Sequence, residues 1–537
     1  MNWRTAPQAI PETEIEEIYN AEIVVVGLGY AGSAAFRAAT EAGASVIGIE
    51  AQSEEKYTLF GRDVGHINSA FLASRGIAWV DPGELFEEWM RRAGNRANPG
   101  LVRKFCEKSG EAFDWYTDMF GLDGLRDVHV AYCPNGGKNF RAAIETGENT
   151  LNGYRFWYGA AEFPDPMGWP GSPTLPACAM ANLKKAEAAG GRMFFGIRAE
   201  QLVQTDGRVT DVIAKDALGR YCRIHAETAV ILAAGDFSRN EAMVRELCPD
   251  IDDLLVPKNR AAAMGRRGDG IRMGIWAGGR LEARPLPTMG GNGLILMGMC
   301  NFGAVWFDQN GNRFCNEIFG GPEIAGFAPN QDGIREVFAV FDEHAAEHEL
   351  TWAVPAHGGF DVNVEGVSEN LRDLTEYAYA GGAQPYERKM KMPLGTQRAY
   401  YGRTPEELAQ NAGITGAVAE NLCHSIRRYN EMAEAGADCD YGRDSRTLDP
   451  LTGMLFLQRM QTERPGAIMV TVGGLVTNVE QQVLDADYAP IPGLYATGNC
   501  CGRRFGLQYS TPIAGVSIGM AITLGREAGR NAADKEK

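Results

Sequence analysis

The sequence lacks the long apolar segments that membrane proteins need. No run of about 18 apolar residues occurs among its 537 residues, so the sequence predicts no membrane span. The first residues, MNWRTAPQAIPETEIEEIYN, contain no apolar core of the kind found in secretory signal peptides. These two absences favour a cytoplasmic protein.

Positive charge is also scarce. The chain has 52 Lys and Arg residues against 69 Asp and Glu residues, which gives a formal net charge of −17. A surface of this sign repels phosphate groups, so the composition argues against nucleic acid and against anionic membranes as partners.

Spaced cysteine pairs are missing as well. The eleven cysteines include no C-x-x-C motif, which excludes zinc ribbons, ferredoxin-like clusters and c-type haem attachment. We therefore expect reduced thiols and no metal site. The adjacent Cys500 and Cys501 are predicted to pack as small apolar side chains, because neighbouring cysteines seldom form a disulfide.

A glycine-rich motif stands out near the start of the chain. Residues 22–50 read EIVVVGLGYAGSAAFRAATEAGASVIGIE, a strand, a G-x-G-x-x-G turn, a helix and a second strand. Gly27 makes the tight turn, Gly29 lets backbone approach a pyrophosphate, and Gly32 allows the helix to pack closely. Glu50 ends the second strand, where a carboxylate accepts hydrogen bonds from ribose hydroxyls. The unit predicts dinucleotide binding and leaves FAD or NAD open.

Three later segments extend this unit. LVQTDGRVTDVIAKDALGRY (202–221) predicts a hairpin, and AVILAAGDFSRN (229–240) predicts a strand that ends in a glycine turn. APIPGLYATGN (489–499) predicts a further strand before a second glycine-rich helix start. The nucleotide-binding unit thus draws on both ends of the chain. The total length predicts two domains and allows one to interrupt the other.

These segments resemble the FAD-dependent fumarate reductase and 3-ketosteroid dehydrogenase superfamily of flavoproteins. The similar stretches cover most of the chain and include GDGIRMGIWAGG, DQNGNRFCNE, TVGGLVTN and GREAGR. The resemblance implies an α/β fold with an α+β cap: a discontinuous Rossmann-like FAD-binding domain with an inserted capping domain. The expected boundaries are an N-terminal extension at 1–20, the FAD-binding domain at 21–284 and 461–537, and the cap at 285–460.

The resemblance also implies that FAD is the cofactor and that it is held non-covalently. His66 is expected to make a polar contact with FAD, with covalent attachment as the alternative. The residues expected to bind the cofactor are Gly27, Gly29, Ala31, Gly32, Glu50, Gly65, His66, Ala234, Gly235, Asp269, Gly498, Asn499 and Ile518.

The chain departs from the fumarate-reducing branch at three places. Ile468, Met469 and Val470 stand where that branch has histidines before its T-x-G-G strand. No arginine follows RFCNE in the next residues, and GLQYSTPIAG replaces an arginine-bearing loop. Because a dicarboxylate needs bidentate cations to offset its charge, these departures disfavour fumarate as the substrate.

The loop that replaces the arginine resembles the ketosteroid dehydrogenases. In LQYSTPIAGVSIG, the resemblance implies that Tyr509 and a backbone N–H at Gly515 hold the ketone oxygen of the substrate. Arg503 is a further candidate catalytic residue, with Arg504 as the alternative, because neighbouring side chains in an extended segment point to opposite sides. The other candidates are Tyr400 and Tyr401 for catalysis and Arg284 for substrate binding.

The predicted activity is that of an FAD-dependent oxidoreductase acting on a CH–CH or C=C bond beside a carbonyl group. An apolar enone, such as a ketosteroid or an aromatic enone, is the expected small-molecule substrate, and the direction of the reaction stays open. One alternative is a small-acid reductase of the fumarate or urocanate type. The other is a flavin-binding electron-transfer subunit without its own substrate. The electron donor or acceptor is unknown.

Overall fold

The computed structural model describes most of the chain. The described residues are 2–130, 150–151, 153–164, 173–249, 266–289, 304–317, 333–334, 336–345, 347–348, 364–389, 396–461 and 470–534. Ile468, Met469 and the stretch that follows RFCNE, on which part of the argument against fumarate depends, lie outside these residues.

The described residues contain both strands and α-helices throughout. The strands are β1 (Ile15–Val26), β2 (Val46–Glu50), β3 (Asp63–Gly65), β4 (His129–Val130), β5 (Thr150–Leu151), β6 (Tyr154–Arg155), β7 (Ala160–Glu162), β8 (Arg192–Phe195), β9 (Ile197–Thr205), β10 (Arg208–Asp216), β11 (Tyr221–Leu232), β12 (Thr288–Met289), β13 (Val305–Asp308), β14 (Glu336–Asp342), β15 (Tyr386–Lys389), β16 (Thr396–Gly402), β17 (Leu455–Gln461), β18 (Val470–Thr471), β19 (Gln482–Leu484) and β20 (Pro490–Ala496). The α-helices are α1 (Tyr30–Glu41), α2 (Ala70–Ser74), α3 (Pro82–Arg92), α4 (Pro99–Tyr116), α5 (Gly121–Gly124), α6 (Leu175–Ala188), α7 (Glu241–Leu247), α8 (Asp269–Trp276), α9 (Val364–Tyr379), α10 (Pro405–Asn411), α11 (Gly416–Ala435) and α12 (Val516–Ala533).

An eight-stranded sheet forms the larger part of the molecule. Its main path runs β19-β20-β11-β1-β2-β8, and β10 joins β11 to β9. The pairs β20–β11, β11–β1, β1–β2 and β2–β8 are parallel, as expected for strands connected by helices. Strand β20 follows the cap in sequence yet pairs beside β11, so the sheet is built from both ends of the chain.

The first strand is longer than the apolar run predicts. Strand β1 begins at Ile15, inside the predicted N-terminal extension, whereas the sequence indicated a strand from Ile23. Its first half is polar and mostly exposed, but it pairs with β11 from Ile15 to Ala21. Hydrophobic runs mark only the buried half of such a strand. The domain boundaries themselves stay predictions.

Helices α1 and α12 pack on the eight-stranded sheet and cross each other closely. A Cβ added at Gly525 would overlap the carbonyl oxygen of Ala31, and one at Gly529 would overlap that of Ala35. Small residues at these positions let the two helix backbones touch. The crossing places the middle of α12, at Gly525, against the first turn of α1.

A second sheet lies in the predicted cap. Its five strands follow the order β13-β14-β17-β16-β15, and every neighbouring pair is antiparallel. One face packs with α9 and the other with α10 and α11 in two separate apolar clusters. The predicted cap helix, 413–440 in sequence, is α11 at Gly416–Ala435.

Four buried charges join the edge of this sheet to the segment after α11. Glu317 accepts hydrogen bonds from Arg313 Nε at 2.8 Å and from Arg443 Nη1 at 3.1 Å. Arg313 Nη2 also lies 2.9 Å from Asp438 Oδ2. Burial alone would raise the pKa of Glu317, but the charge and hydrogen bonds of Arg313 hold it below its usual value. The cluster contains two acidic and two basic side chains, so its formal charges balance.

Candidate cofactor groove and active-site loop

In the G-x-G-x-x-G turn, packing requires glycine at two of the three positions. Gly27 has φ of +90°, and a Cβ there would lie 2.7 Å from Ala234 Cα. A Cβ at Gly32 would overlap the carbonyl oxygen of Gly27. At Gly29 the nearest protein atom to such a Cβ is Leu59 Cδ2 at 3.9 Å, so packing does not demand glycine. In dinucleotide-binding turns this glycine allows close approach of the pyrophosphate, and that role for Gly29 stays a prediction.

Glu50 lies where the sequence predicts a ribose-binding carboxylate. The side chain is buried, its Oε2 accepts the N–H of Leu28 at 3.0 Å, and its Oε1 accepts the N–H of Gln52 at 2.9 Å. Each carboxylate oxygen has a second lone pair, so both can accept a further donor. The two backbone bonds fix the carboxylate beside the glycine-rich turn.

The carboxyl ends of three parallel strands meet at this turn. Ala234 and Gly235 follow β11, and Gly498 and Asn499 follow β20. A Cβ at Gly498 would lie 2.7 Å from the Cβ of Ala31. Ala234, Gly235 and Asn499 remain half-buried, although the last four residues of each of these strands are buried. A groove at the carboxyl end of a parallel sheet is where nucleotides bind in such folds.

The start of α12 forms the next part of the groove. Gly65 N donates to the Gly515 carbonyl oxygen at 2.7 Å, and a Cβ at Gly519 would overlap the Gly65 carbonyl oxygen. Half-buried Ile518 lies beside Gly61, where a Cβ would collide with its Cδ1. The predicted contacts Gly65, Gly515 and Ile518 are thus brought together at a helix N-terminus, which favours negative charge.

His66 is adjacent to this helix start, but its ring is bonded within the protein. Its Nδ1 lies 2.9 Å from the carbonyl oxygen of Val64, and its Nε2 lies 2.8 Å from Ser69 Oγ. A carbonyl oxygen only accepts, so Nδ1 carries the proton and Nε2 accepts from the hydroxyl. Burial lowers the pKa of His66 to about 3, and its ring stacks on Phe113. The imidazole is neutral, and both of its nitrogens have protein partners.

Asp269 and Arg284 are held in other interactions. Asp269 begins α8, and its carboxylate pairs with Arg198 at 2.7 Å and with Arg272. Arg284 is exposed, and its Nη1 donates to the carbonyl oxygen of Glu246 at 3.3 Å. The sequence does not indicate the contacts with Arg198 and Glu246, because these two partners are distant along the chain. Their predicted roles stay predictions.

Tyr509 is buried beside the start of α12. Its side chain is only 1% exposed, and its hydroxyl oxygen accepts the N–H of Ser517 at 2.9 Å. Its ring meets that of Phe505 edge to face, with centroids 4.8 Å apart. Tyr509 therefore lies at the N-terminus of α12, which Gly515 precedes, and its role in binding a ketone oxygen stays a prediction.

Arg503 and Arg504 have different environments. Arg503 is half-buried with φ of +54°, a left-handed conformation that is rare for a residue with a side chain. Arg504 is completely buried; its Nη2 donates to Asn499 Oδ1 at 2.7 Å and its Nε to the carbonyl oxygen of Cys501 at 2.9 Å. Burial lowers the pKa of Arg504. The segment is not extended, so the simple alternation assumed for these side chains is wrong.

A buried carboxylate supports the unusual backbone at Arg503. Glu282 Oε2 accepts the N–H of Arg503 at 2.8 Å, and its Oε1 accepts the N–H of Gly474 at 2.8 Å. Burial raises the pKa of Glu282 to about 7, although these bonds and the charge of Arg504 act against that shift. No sequence motif marks Glu282, so its role could not be predicted from the sequence.

Asp236 was missed for the same reason. It accepts the N–H of Thr471 at 2.9 Å and that of Arg266 at 2.7 Å, and burial raises its pKa. It thereby joins the end of β11 to β18. An aspartate directly after the A-A-G turn was the only sequence signal for this role.

The two cysteines after Asn499 contact different residues. Cys500 Sγ donates to the carbonyl oxygen of Gly235 at 3.3 Å, while Cys501 Sγ lies 3.4 Å from Thr477 Oγ1. Both thiols are free and buried. Burial raises the pKa of Cys500 to about 12, so this thiol is protonated and unreactive.

Tyr400 and Tyr401 lie on opposite faces of the cap sheet. Tyr401 belongs to the apolar cluster beneath α9, and its hydroxyl donates to the carbonyl oxygen of Gly382. Tyr400 packs against the cluster beneath α10 and α11. Both side chains contact cap residues, so the expectation that one of them faces the substrate rests on the sequence alone.

The described residues hold no group of three or more His, Cys, Asp or Glu side chains placed to bind a metal ion. Over the same residues, none of the helices combines the length and the apolar composition needed to cross a membrane.

Comparison with known proteins agrees with this geometry. A family described as "FAD binding domain" matches residues 22–517. The chain is 25% identical to "Fumarate reductase (cytochrome)" of Shewanella frigidimarina, covering 96% of this chain and 77% of that protein. It is 26% identical to "Urocanate reductase" of Eggerthella lenta, covering 99% and 77%. The crystal structure of 3-ketosteroid-delta4-(5alpha)-dehydrogenase from Rhodococcus jostii RHA1 aligns with a TM-score of 0.67 at 22% identity, covering 99% of this chain and 100% of that one.

Proposed function

The chain belongs to the FAD-binding domain family, and from that membership we propose an FAD-dependent oxidoreductase that acts on a C=C bond conjugated to a carbonyl group. The relatives named as fumarate and urocanate reductases and the ketosteroid dehydrogenase fold support this reaction class. Within that class we propose an apolar enone, such as a ketosteroid or aromatic enone, as the substrate.

The groove residues fit FAD. Gly29 leaves backbone open to a pyrophosphate, Glu50 offers two acceptor oxygens for a ribose, and the start of α12 favours the electron-rich end of the ring system. When bound, FAD supplies hydride exchange with a carbon atom at N5 of its isoalloxazine ring. We propose non-covalent binding, which is supported by the two protein hydrogen bonds that occupy the ring of His66.

The position of the Tyr509 hydroxyl carries the proposal. Its oxygen accepts the Ser517 N–H, so the hydroxyl lies at the start of α12, and a phenol also carries an O–H donor. A substrate carbonyl oxygen gains negative charge when hydride adds to the conjugated carbon. A phenol at a helix N-terminus stabilises that charge through a hydrogen bond and the helix dipole. Gly515, which begins the same helix, is proposed as the backbone partner.

The surroundings of Tyr509 favour an apolar substrate. Its cluster includes Phe505, Val472, Met289 and Ile513, which are all buried. Burying apolar surface contributes about 25 cal/mol per Å², whereas a dicarboxylate would need paired cations there. Arg504 does not supply such a cation, because its side chain is buried and hydrogen-bonded to Asn499 and Cys501.

A small-acid reductase is the second candidate. The half-buried Arg503 is the observation that favours it, since a guanidinium beside the Tyr509 loop suits a carboxylate. The two reductases named above act on acids according to their names, which adds support. Efficient turnover of fumarate or urocanate would select this candidate and overturn the enone proposal.

Flavin reoxidation tests the two candidates directly. Reduced enzyme is mixed anaerobically with 4-androstene-3,17-dione, fumarate or urocanate, and the visible FAD band is followed. We expect Tyr509→Phe to keep FAD and to lose about 10²–10³-fold in the rate with the enone, because one oxyanion donor is removed. Tyr429→Phe is the matched control: that hydroxyl donates to the Asp449 carbonyl oxygen at 3.0 Å inside the cap. A Tyr509→Phe rate within about threefold of wild type, a difference of roughly 0.7 kcal/mol, would contradict the proposal.

A further inference from the structure

Helix α3 contacts the Tyr509 loop on both sides of the tyrosine. Trp89 Nε1 donates to the carbonyl oxygen of Arg504 at 3.0 Å, five residues before Tyr509. Arg92 Nη1 donates to the carbonyl oxygen of Thr511 at 3.0 Å, two residues after it. Two side chains less than one turn apart on one helix thus hold both arms of the loop.

Further contacts make this docking tight. A Cβ added at Gly506 would lie 2.5 Å from the carbonyl oxygen of Ala93, directly after α3, so the loop backbone touches the helix end. The ring of Trp89 stacks on Phe505 at 5.9 Å, and Phe505 meets Tyr509 at 4.8 Å. Three aromatic rings therefore connect α3 to the phenol itself.

Arg92 is held as a charged donor. Its side chain is fully buried, its Nε pairs with Glu88 Oε1 at 2.7 Å, and its Nη2 donates to the carbonyl oxygen of Arg155 at 2.6 Å. Burial lowers the pKa of Arg92 to about 10 while Glu88 acts to raise it, so the guanidinium is protonated at neutral pH. Its planar fork spans three acceptors at fixed angles, which a lysine does not reproduce.

We propose that Trp89 and Arg92 are positioning residues that set where the Tyr509 hydroxyl lies relative to the start of α12. This inference rests on the proposed role of Tyr509 as the carbonyl donor. Between β20 and α12 the chain has only one short 3-10 turn, at Gly498–Cys500, so tertiary contacts determine the path of the loop. An error of about 1 Å in a reacting group costs on the order of 10²-fold in rate.

Two conservative variants test the proposal. Trp89→Phe keeps a stacked ring and removes one N–H, and Arg92→Lys keeps the charge and removes the fork. Trp115→Phe is the control for the first, because its indole donates to Glu41 Oε2 at 2.8 Å on another surface. Arg91→Lys is the control for the second, because Arg91 pairs with the same Glu88 but its side chain is about half exposed.

We expect Trp89→Phe and Arg92→Lys to lower kcat about 10-fold to 100-fold with bound FAD unchanged. Amide hydrogen exchange in peptides covering 504–517 should become several-fold faster in both variants and stay unchanged in both controls. The exchange readout needs no substrate. Wild-type exchange in this segment, or wild-type kcat, in Trp89→Phe would overturn the positioning role.

A double variant separates this inference from the proposed function. If α3 acts through the phenol, Trp89→Phe should lower the rate no further once Tyr509→Phe is present. Additive losses with an impaired Tyr509→Phe would overturn the positioning role alone. A fully active Tyr509→Phe would instead overturn the proposed donor and, with it, this inference.

Discussion

The predicted FAD-binding domain and the predicted cap are stabilised by opposite kinds of contact. Around the cofactor groove, backbone touches backbone: Gly32 lies on Gly27, and Gly519 lies on Gly65, without space for a Cβ. In the cap, the strand edge is joined by long charged side chains, with Glu317 between two arginines. The first arrangement requires glycines, which have no side chain. The second requires long charged side chains.

This difference shows which kinds of contact can be predicted from a sequence. Close backbone contact admits only glycine, so it leaves a motif with fixed spacing. A buried charge cluster admits several side-chain combinations and assembles from positions far apart in the chain. Arg313 and Arg443 are separated by the whole of α9, α10 and α11, and nothing in their local sequence pairs them.

The strongest way to test the comparison is to add a side chain to the glycine turn. We expect Gly32→Val to prevent folding, because the new atoms overlap the Gly27 carbonyl oxygen and the strain exceeds about 5 kcal/mol. Gly29→Val should fold and fail to bind FAD, since its Cβ meets only Leu59 at 3.9 Å. Soluble yield, circular dichroism and FAD per chain measure both effects. If the two variants behave alike, it is wrong to distinguish Gly32, required for packing, from Gly29, required for ligand binding.

The second test removes one charge from the cap. Glu317→Gln leaves two buried arginines with one carboxylate between them, and we expect a loss of about 3–5 kcal/mol in stability. Glu336→Gln is the control, because its pair with Arg459 is partly exposed and contributes about 0–1 kcal/mol. Urea unfolding measures the loss. FAD content per folded chain should stay the same in both variants, and a loss of FAD in Glu317→Gln alone would show that the cap cluster also shapes the groove.

The third and smallest effect concerns Glu282, which is bonded to Gly474 and Arg503 in the predicted FAD-binding domain. Burial raises its pKa from 4.5 to about 7, so the folded chain keeps a proton that the unfolded chain releases above pH 4.5. The contribution of Glu282 to stability is therefore fully present below pH 4.5 and falls by about 3 kcal/mol as the pH rises through 7. Glu282→Gln should remove this part of the pH dependence. Urea unfolding at pH 5, 6, 7 and 8 checks it, and parallel pH curves for the two proteins would rule out the assigned shift.

Much of the nucleotide-binding unit could be predicted from the sequence. The helix predicted after the glycine-rich turn is α1, Tyr30–Glu41, and the hairpin predicted at 202–221 includes β9 and β10, with its turn at Asp206 and Gly207. These features arise from local rules: glycine turns, apolar runs and strand length. The family resemblance and the α/β fold are confirmed by the matching family and by the ketosteroid dehydrogenase structure.

The active-site loop was less predictable. Tyr509 and Gly515 could be named by resemblance, but the contacts of Arg504 with Asn499 and of Glu282 with Arg503 depend on tertiary packing. The left-handed backbone at Arg503 also invalidates the assumption of an extended segment. A sequence gives side-chain alternation only where the backbone is regular, and this loop is not.

The late position of β20 in the chain has a consequence for synthesis on the ribosome. Val230–Leu232 of β11 pair with Leu494–Ala496 of β20, so that part of β11 is an open edge until the whole cap has emerged. At about 5–20 residues per second, the wait from residue 232 to residue 496 is roughly 10–50 s. During this interval the nascent chain exposes an apolar strand edge, the kind of surface that pairs with other chains. Completion of the sheet, and with it of the groove, is a late event in the life of each molecule.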